Sequence, residues 1–246
     1  MISPQLVAFV FTAHRFFFEP IMNRDESTKN RVLLAAGPIF ARKGFAQATV
    51  REICDAANVN LASINYYFGD KQRLYIETVI LAREQRAEQF PFPSWSDETL
   101  PEVKLKEFVG LMLRRVVVMQ TVPWQVGLLM REILKPTEAC QQLVEEYFRP
   151  IFERLLRIVD ELVDRPLTTL QRTQIGFSII GQCLHYRFSA GVISMMVEEK
   201  RRQEYFDLEN LTNHITEFSI AAIRNLHDIE AAQAETTAVS ARETDK

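Results

Sequence analysis

"TVREICDAANVNLASINYYFGDKQRL", residues 49–74, sets two short helical patterns almost end to end. The first runs from Thr49 to about Ala57 and the second from Asn60 to about Phe68. Thr49 and Glu52 spell a T-x-x-E capping box, Asn58 supplies a break, and Asn60 and Asp70 cap the helices that follow them. Helices this short cannot bury enough surface to stand alone. The segment ahead supplies a brace: a helix capped by Ser27 and running to about Lys43, with Val32, Leu33, Ala36, Ile39 and Phe40 on one face and Gly44 as its stop. Pro38 lies inside it and predicts a kink. Two short helices joined by a tight turn against a longer one form a helix-turn-helix. Ile53, Ala56 and Ala57 are expected to face inward, opposite Val59 and Ile64.

That packing leaves Asn60, Leu61, Ala62, Ser63, Asn65, Tyr66 and Tyr67 on the outer face of the second short helix. The face is polar and aromatic, with no lysine or arginine, and suits base edges in a major groove. Thr49 and Arg51 open one helix and Lys71 opens another, where a hydroxyl, a guanidinium or an ammonium can hold a phosphate. The same pattern also fits two packed helices of an all-α protein with no nucleic-acid role.

The whole chain agrees with an all-α reading. It has 246 residues, 47% hydrophobic and 25% charged, with only eight glycines, and alternating strand-like runs are hard to find. Net charge is −3, yet seven basic residues face three acidic ones between Ser27 and Tyr75, so a modestly positive head precedes an acidic remainder. Cys54, Cys140 and Cys183 are odd in number and widely spaced in apolar helical contexts, which predicts buried thiols rather than disulfides. No metal-ligand spacing occurs, and neither a metal nor a cofactor is expected. "MISPQLVAFVFTAHRFFFEPIM" is interrupted by His14, Arg15 and Glu19, so it reads neither as a membrane span nor as a signal peptide. Translation is expected to begin at Met22, with residues 1–26 outside the folded part, and N-terminal sequencing that returned Met1 or Ile2 would end that expectation.

Further helices are expected at about 70–89, 101–120, 122–135, 137–163 with a kink at Pro150, 168–190 and 207–228, and residues 229–246 read as a polar tail. "FPFPSW" is a loop whose aromatic residues should pack. The domain organisation expected is a head at 27–75 and a larger helical body at 76–228 for ligand binding and dimerisation.

"KNRVLLAAGPIFARKGFAQATVREICDAANVNLASINYYFGDKQRLY" resembles the N-terminal domain of TetR-family transcriptional regulators over 47 consecutive residues. The resemblance implies that Thr49, Arg51, the exposed face of residues 60–67 and Lys71 contact DNA. It implies a homodimer on double-stranded operator DNA, released by an unidentified small-molecule effector, in the bacterial cytoplasm at the nucleoid. Most of the family has a tyrosine where this chain has Asn65, a residue able to make a bidentate contact to adenine. "LLMREILKPTEACQQLVEEYFRPIFERLLRIV" and "GQCLHYRF" resemble the C-terminal domain of the CecR-type subgroup. The family's dimers form through the last long helices, where Phe177 and Leu184 with Thr173 and Ile180, and Leu211, Ile215, Phe218 and Ala222 with Leu208 and Leu226, make two apolar stripes.

Other chemistry has little footing. Cys183 and His185 lie about 200° apart on a helix, which argues against a nucleophile–base pair. Trp124, Arg131, Cys183, His185, Tyr186 and Phe188 are candidates for lining an effector cavity, and Met195 and Met196 fit a core as well. Arg114, Arg115 and Arg131 could meet an anionic ligand, although solvated or ion-paired arginines are the commoner case. Three classes of function stand: a ligand-responsive DNA-binding dimer, a DNA-binding protein of the same fold controlled by a protein partner, and an all-α enzyme or scaffold without DNA binding.

Overall fold

The computed structural model describes residues 24–116, 123–164 and 166–225, and the expectations for the N-terminal extension, Leu226 and the tail lie outside them. Every regular element among the described residues is helical. The helix α1 (Arg24–Gln47) starts ahead of Ser27. Its dihedrals stay helical through Pro38 and depart at Gly44, at φ 74°, ψ 174°. Pro38 withdraws a hydrogen bond from the carbonyl of Leu34 without taking the backbone out of helical dihedrals, and the departure falls at Gly44, where the helix was expected to stop.

Helices α2 (Val50–Ala57) and α3 (Leu61–Phe68) follow, then α4 (Lys71–Gln89), which passes without a break through the division expected at residue 75. The body adds α5 (Pro101–Val116), α6 (Pro123–Leu134) and α7 (Glu138–Leu143). The single helix expected at 137–163 is three pieces: α7, a π turn at Val144–Phe148, and α8 (Arg149–Glu161). Arg149 N–H reaches back five residues to the carbonyl of Val144, and Pro150 follows directly. A proline cannot sit on a regular four-residue ladder, and one wider turn ahead of it lets the helix continue where a kink was expected.

The C-terminal part is α9 (Thr169–Phe188), α10 (Ala190–Met196), α11 (Glu199–Tyr205) and α12 (Leu208–Arg224), of which α10 and α11 were not expected. Two apolar clusters organise these helices. The first joins α1, α2, α3 and α4 with Trp124, Leu128 and Leu129 of α6 and Ala139 and Leu143 of α7. The second joins α5, α8, α9 and α12, with Phe92 and Trp95 of the "FPFPSW" loop packed against it. Trp95 also donates from Nε1 to Glu107 at 2.7 Å. Head and body thus share a core through α6.

Candidate nucleic-acid interface

The start of α2 is fixed by local chemistry. Thr49 Oγ1 accepts the Glu52 N–H at 3.3 Å, and Glu52 Oε2 accepts the Thr49 N–H at 3.1 Å and hydroxyl at 3.0 Å. Lys43 donates to the other carboxylate oxygen. The Lys43 ammonium, then the Thr49 hydroxyl and N–H, hold the Glu52 carboxyl down at about 2, below its ordinary 4.5. A depressed carboxyl stabilises the fold above its unfolded value, so this contribution is present above pH 4.5 and is lost as pH falls toward about 2. Thr49→Ala is expected to lower stability by about 1 kcal/mol, read as a shift of the urea midpoint, while Thr49→Ser stays near the parent. Equal midpoints for the two variants would remove the cap from the account.

The turn is set by Asn58 in the left-handed region, φ 53°, and α3 is capped by Asn60, whose Oδ1 accepts the Ser63 N–H at 2.9 Å. Ile53, Cys54 and Ala57 are buried against Ile64 and Phe68, whereas Ala56 is exposed, a correction to the inward set. Arg31 Nε donates to the carbonyl of Ala57 at 3.1 Å and ties α1 to the end of α2.

The outer side of α3 carries Asn60, Leu61, Ala62, Asn65 and Tyr66 exposed, with Ser63 and Tyr67 half-buried. Tyr66 is 76% exposed, and its ring meets that of Tyr67 edge-on at 5.0 Å. The Asn65 amide has no protein partner among the described residues. Arg51 is exposed, while the Thr49 hydroxyl is engaged in its cap. Lys71 is half-buried and docked, its ammonium 3.4 Å from the carbonyl of Ala46 and 4.7 Å from the centre of the Phe45 ring.

Side-chain contacts join α1 and α4 to the remaining helices, Gln72 to Glu138 and Arg83 to Glu146 among them. Glu132 of α6, fully buried, accepts from the Tyr75 hydroxyl at 2.5 Å and from the Thr137 N–H at 3.1 Å and hydroxyl at 2.9 Å. Arg131 donates from Nη2 to the carbonyls of Ala41 and Arg42 at 3.2 and 3.1 Å. Arg86, 2% exposed near the end of α4, donates to the carbonyls of Arg114 and Arg115 at the end of α5. Arg115 returns the contact from Nε to the carbonyl of Phe90 at 3.0 Å. Each guanidinium thus closes the C-terminal end of the other's helix. Arg115 is buried and has no carboxylate partner among the described residues, unlike the solvated or ion-paired arginine expected. The sequence signal for Arg86 was its place one turn beyond Tyr75, Val79 and Ala82, on the inward stripe of α4.

The candidate effector residues are dispersed. Trp124 packs on α1 in the first cluster and Arg131 grips α1, whereas Cys183 and Tyr186 belong to the second cluster. His185 and Phe188 are exposed. These six side chains therefore do not line one common cavity. Cys183 is fully buried, which pushes its thiol up to about 12, and Cys140 is half-buried rather than buried. Of the dimer candidates, Leu211 and Ile215 are committed to this chain's own second cluster, Leu184 is half-buried, and Phe177, Phe218 and Ala222 are exposed. Among the described residues no helix is long and apolar enough to cross a membrane.

Residues 32–78 match the family described as bacterial regulatory proteins, tetR family. Residues 101–223 match the C-terminal domain of the HTH-type transcriptional dual regulator CecR. The chain belongs to the TetR family. It is a DNA-binding transcriptional regulator with a CecR-type C-terminal domain, and not an enzyme. It is similar to the HTH-type transcriptional dual regulator CecR of Shigella flexneri, 26% identical over 179 residues that cover 69% of this chain and 80% of that one. The HTH-type transcriptional repressor NicS of Pseudomonas putida is 32% identical over 89 residues, 35% of this chain and 41% of that one. A solved tetR-family protein from Rhodococcus RHA1 shares the fold with a TM-score of 0.55 at 13% identity, covering 80% of this chain and 97% of that one. In this TetR-family chain, α2 and α3 are the helix-turn-helix.

Proposed function

We propose that the chain is a homodimeric repressor that reads a palindromic operator through α3 and is released when a small-molecule effector binds the body. In this reading residues 27–75 are the head and 76–228 the effector and dimer part, acting in the cytoplasm at the nucleoid. The observation that carries it is the outer face of α3, which presents Asn60, Leu61, Ala62, Asn65 and Tyr66 to solvent with no cation among them. Side chains of that kind form hydrogen bonds and apolar contacts to base edges, while Arg51, Lys71 and the amides opening α2 and α4 suit the phosphates on either side. The repressor sign is favoured by the Pseudomonas relative, a transcriptional repressor, while the Shigella relative is a dual regulator. An effector moves the equilibrium only by binding the released head spacing more tightly than the operator-bound one.

The test begins with the operator, selected by binding the purified protein to fragmented genomic DNA. On that operator, Lys71→Ala should weaken binding to all sequences alike and flatten the salt dependence by about one unit of slope. The substitution also gives up the contacts of the Lys71 ammonium with the Ala46 carbonyl and the Phe45 ring, so urea unfolding of the variant is measured beside its DNA binding. Asn65→Ala should instead relax preference at one base pair by ~1–3 kcal/mol. A Lys71→Ala protein with altered sequence preference and an unchanged salt slope would reverse these assignments. Transcription from the operator that rises when the protein is removed supports repression, and transcription that falls makes it an activator.

A further inference from the structure

The packing of α6 on α1 ends in a cleft whose charge is unbalanced. Gly37 lies against the Trp124 ring, Ala41 against Gly127, and Gly44 against the Arg131 guanidinium. Contacts that advance together along both helices mean that α1 and α6 run parallel and finish side by side. Beyond their joined C-terminal ends opens a cleft of about 460 Å³ lined by Arg42, Lys43, Arg131 and Lys135, with Tyr75 and Thr137 in its wall and no acidic residue among its lining.

Cations belong at helix C-terminal ends, and that is the ordinary explanation to be weighed. Each helix end carries roughly half a negative charge, so two ends offset about one cation. Glu52 neutralises Lys43. Of the four cations, roughly two positive charges are then left over. Glu132, behind the wall, is buried and already engaged by the Tyr75 hydroxyl, the Thr137 hydroxyl and the Thr137 N–H, and counting it in full still leaves about one. Arg42 and Lys135 are exposed and have no ion-pair partner among the described residues. Arg131 is held to the carbonyls of Ala41 and Arg42 through Nη2 alone, so Nη1 has no protein acceptor and Nε is buried without one. A pre-positioned guanidinium with two exposed cations lining the same cleft offers the donors that a tetrahedral dianion takes.

We infer that this cleft binds a phosphate group. A phosphomonoester carries about −1.5 to −2 at neutral pH, against an excess of about one to two positive charges. Its oxygens would join Arg42 of α1 to Arg131 and Lys135 of α6, and so fix the head against the body at the orientation described here. Two sources share that chemistry: a free phosphorylated small molecule and the DNA backbone, whose expected contacts at Thr49 and Lys71 begin just past the cleft wall at Phe45–Gln47. The first arm of the test contains no DNA, so it stands or falls apart from the operator reading.

The experiment uses the full chain and the variants Arg42→Ala, Lys135→Ala and the pair together. These side chains are exposed and unpartnered, and the variants should melt with the parent in the absence of phosphate. Inorganic phosphate and pyrophosphate, at ionic strength matched with sodium chloride, should raise the melting temperature of the parent, and the double variant should bind pyrophosphate at least about tenfold more weakly, two lost charge-assisted bonds being involved. In the second arm, the salt slope of binding to duplex DNA is measured for parent and double variant. A slope reduced by about one to two units assigns the site to the DNA backbone. Weakened pyrophosphate binding with an unchanged slope assigns it to a free phosphorylated ligand, and both changes together mean that either source can fill it. Pyrophosphate with no effect beyond matched salt, or binding parent and double variant equally, overturns the inference if the DNA slope is also unchanged.

Discussion

Phe218→Arg is expected to give a folded monomer that no longer binds its operator specifically. Phe218 is 59% exposed on α12, and Phe177 is 61% exposed on α9. The two helices lie side by side, with Gln182 Nε2 at 3.5 Å from Ser219 Oγ, and Gly181 faces open space. Both helices therefore leave apolar side chains outward, available to a second copy. A guanidinium in place of Phe218 would have to be desolvated across that interface, and its twin would meet it near the two-fold axis. One head alone reads a half-site, and the loss should be on the order of a thousandfold or more, down to the salt-dependent background. The control is internal. Leu211 and Ile215 lie on the same helix but are 5% and 0% exposed in the chain's own core, so Leu211→Arg or Ile215→Arg should unfold the body rather than dissociate it. Sedimentation and urea unfolding separate the two results. A stable Phe218→Arg dimer that still shifts operator DNA would move the interface elsewhere.

The contrast between Phe218 and Ile215 shows where a sequence stops being informative. A stripe at 3.6-residue spacing says that a helix face is covered, and says nothing about whether the cover comes from the same chain or another. Both residues fell on one stripe, and the structure divides them. Caps were legible because their chemistry is local: Thr49 with Glu52, Asn60 with Ser63 and Asp70 with Arg73 each close within three residues. Ala56 was misread because an eight-residue helix gives its wheel too little length to fix the phase. Ile53, Ala57 and Cys54 occupy an arc of about 100°, and Ala56 lies outside it. Helices α10 and α11 left no periodic trace, since "AGVISMM" has no polar face and "EKRRQEY" almost no apolar one. The π turn was hidden because Leu143, Tyr147, Ile151 and Leu155 keep helical spacing through it. The effector candidates failed to converge for a related reason. Trp124 and Cys183 are both apolar positions on helices, and only the fold assigns them to different cores.

The contact between Gly37 and Trp124 sets how the head sits on the body. A Cβ at Gly37 would lie 2.5 Å from Cε3 and Cζ3 of the Trp124 ring. Trp124 is 9% exposed and packed within the first cluster, so the ring cannot swing into solvent as a long flexible side chain could. On helix propensity alone Gly37→Ala should stabilise α1 by roughly 0.5–1 kcal/mol. Overpacking works against it by typically 1–3 kcal/mol, so the net effect is a loss of up to about 2.5 kcal/mol where propensity predicts a gain. Trp124→Leu alone should cost about 3 kcal/mol through the cavity it opens. Combined, the two substitutions relieve each other, since the added methyl group enters the space that the ring vacates. The double variant should therefore be more stable than the sum of the single effects by at least about 1 kcal/mol, well beyond the few tenths expected for independent sites. Urea unfolding of the four proteins closes the cycle, and additivity within about 0.5 kcal/mol would show that Gly37 and the ring are not in the contact described. The same cycle bears on function. Gly37→Ala pushes α6 away from α1 and should weaken the parallel seating that brings Arg131 to the carbonyls of Ala41 and Arg42. Operator affinity should fall with the single Gly37→Ala substitution and recover in part with Trp124→Leu added, although neither residue lies on the outer face of α3.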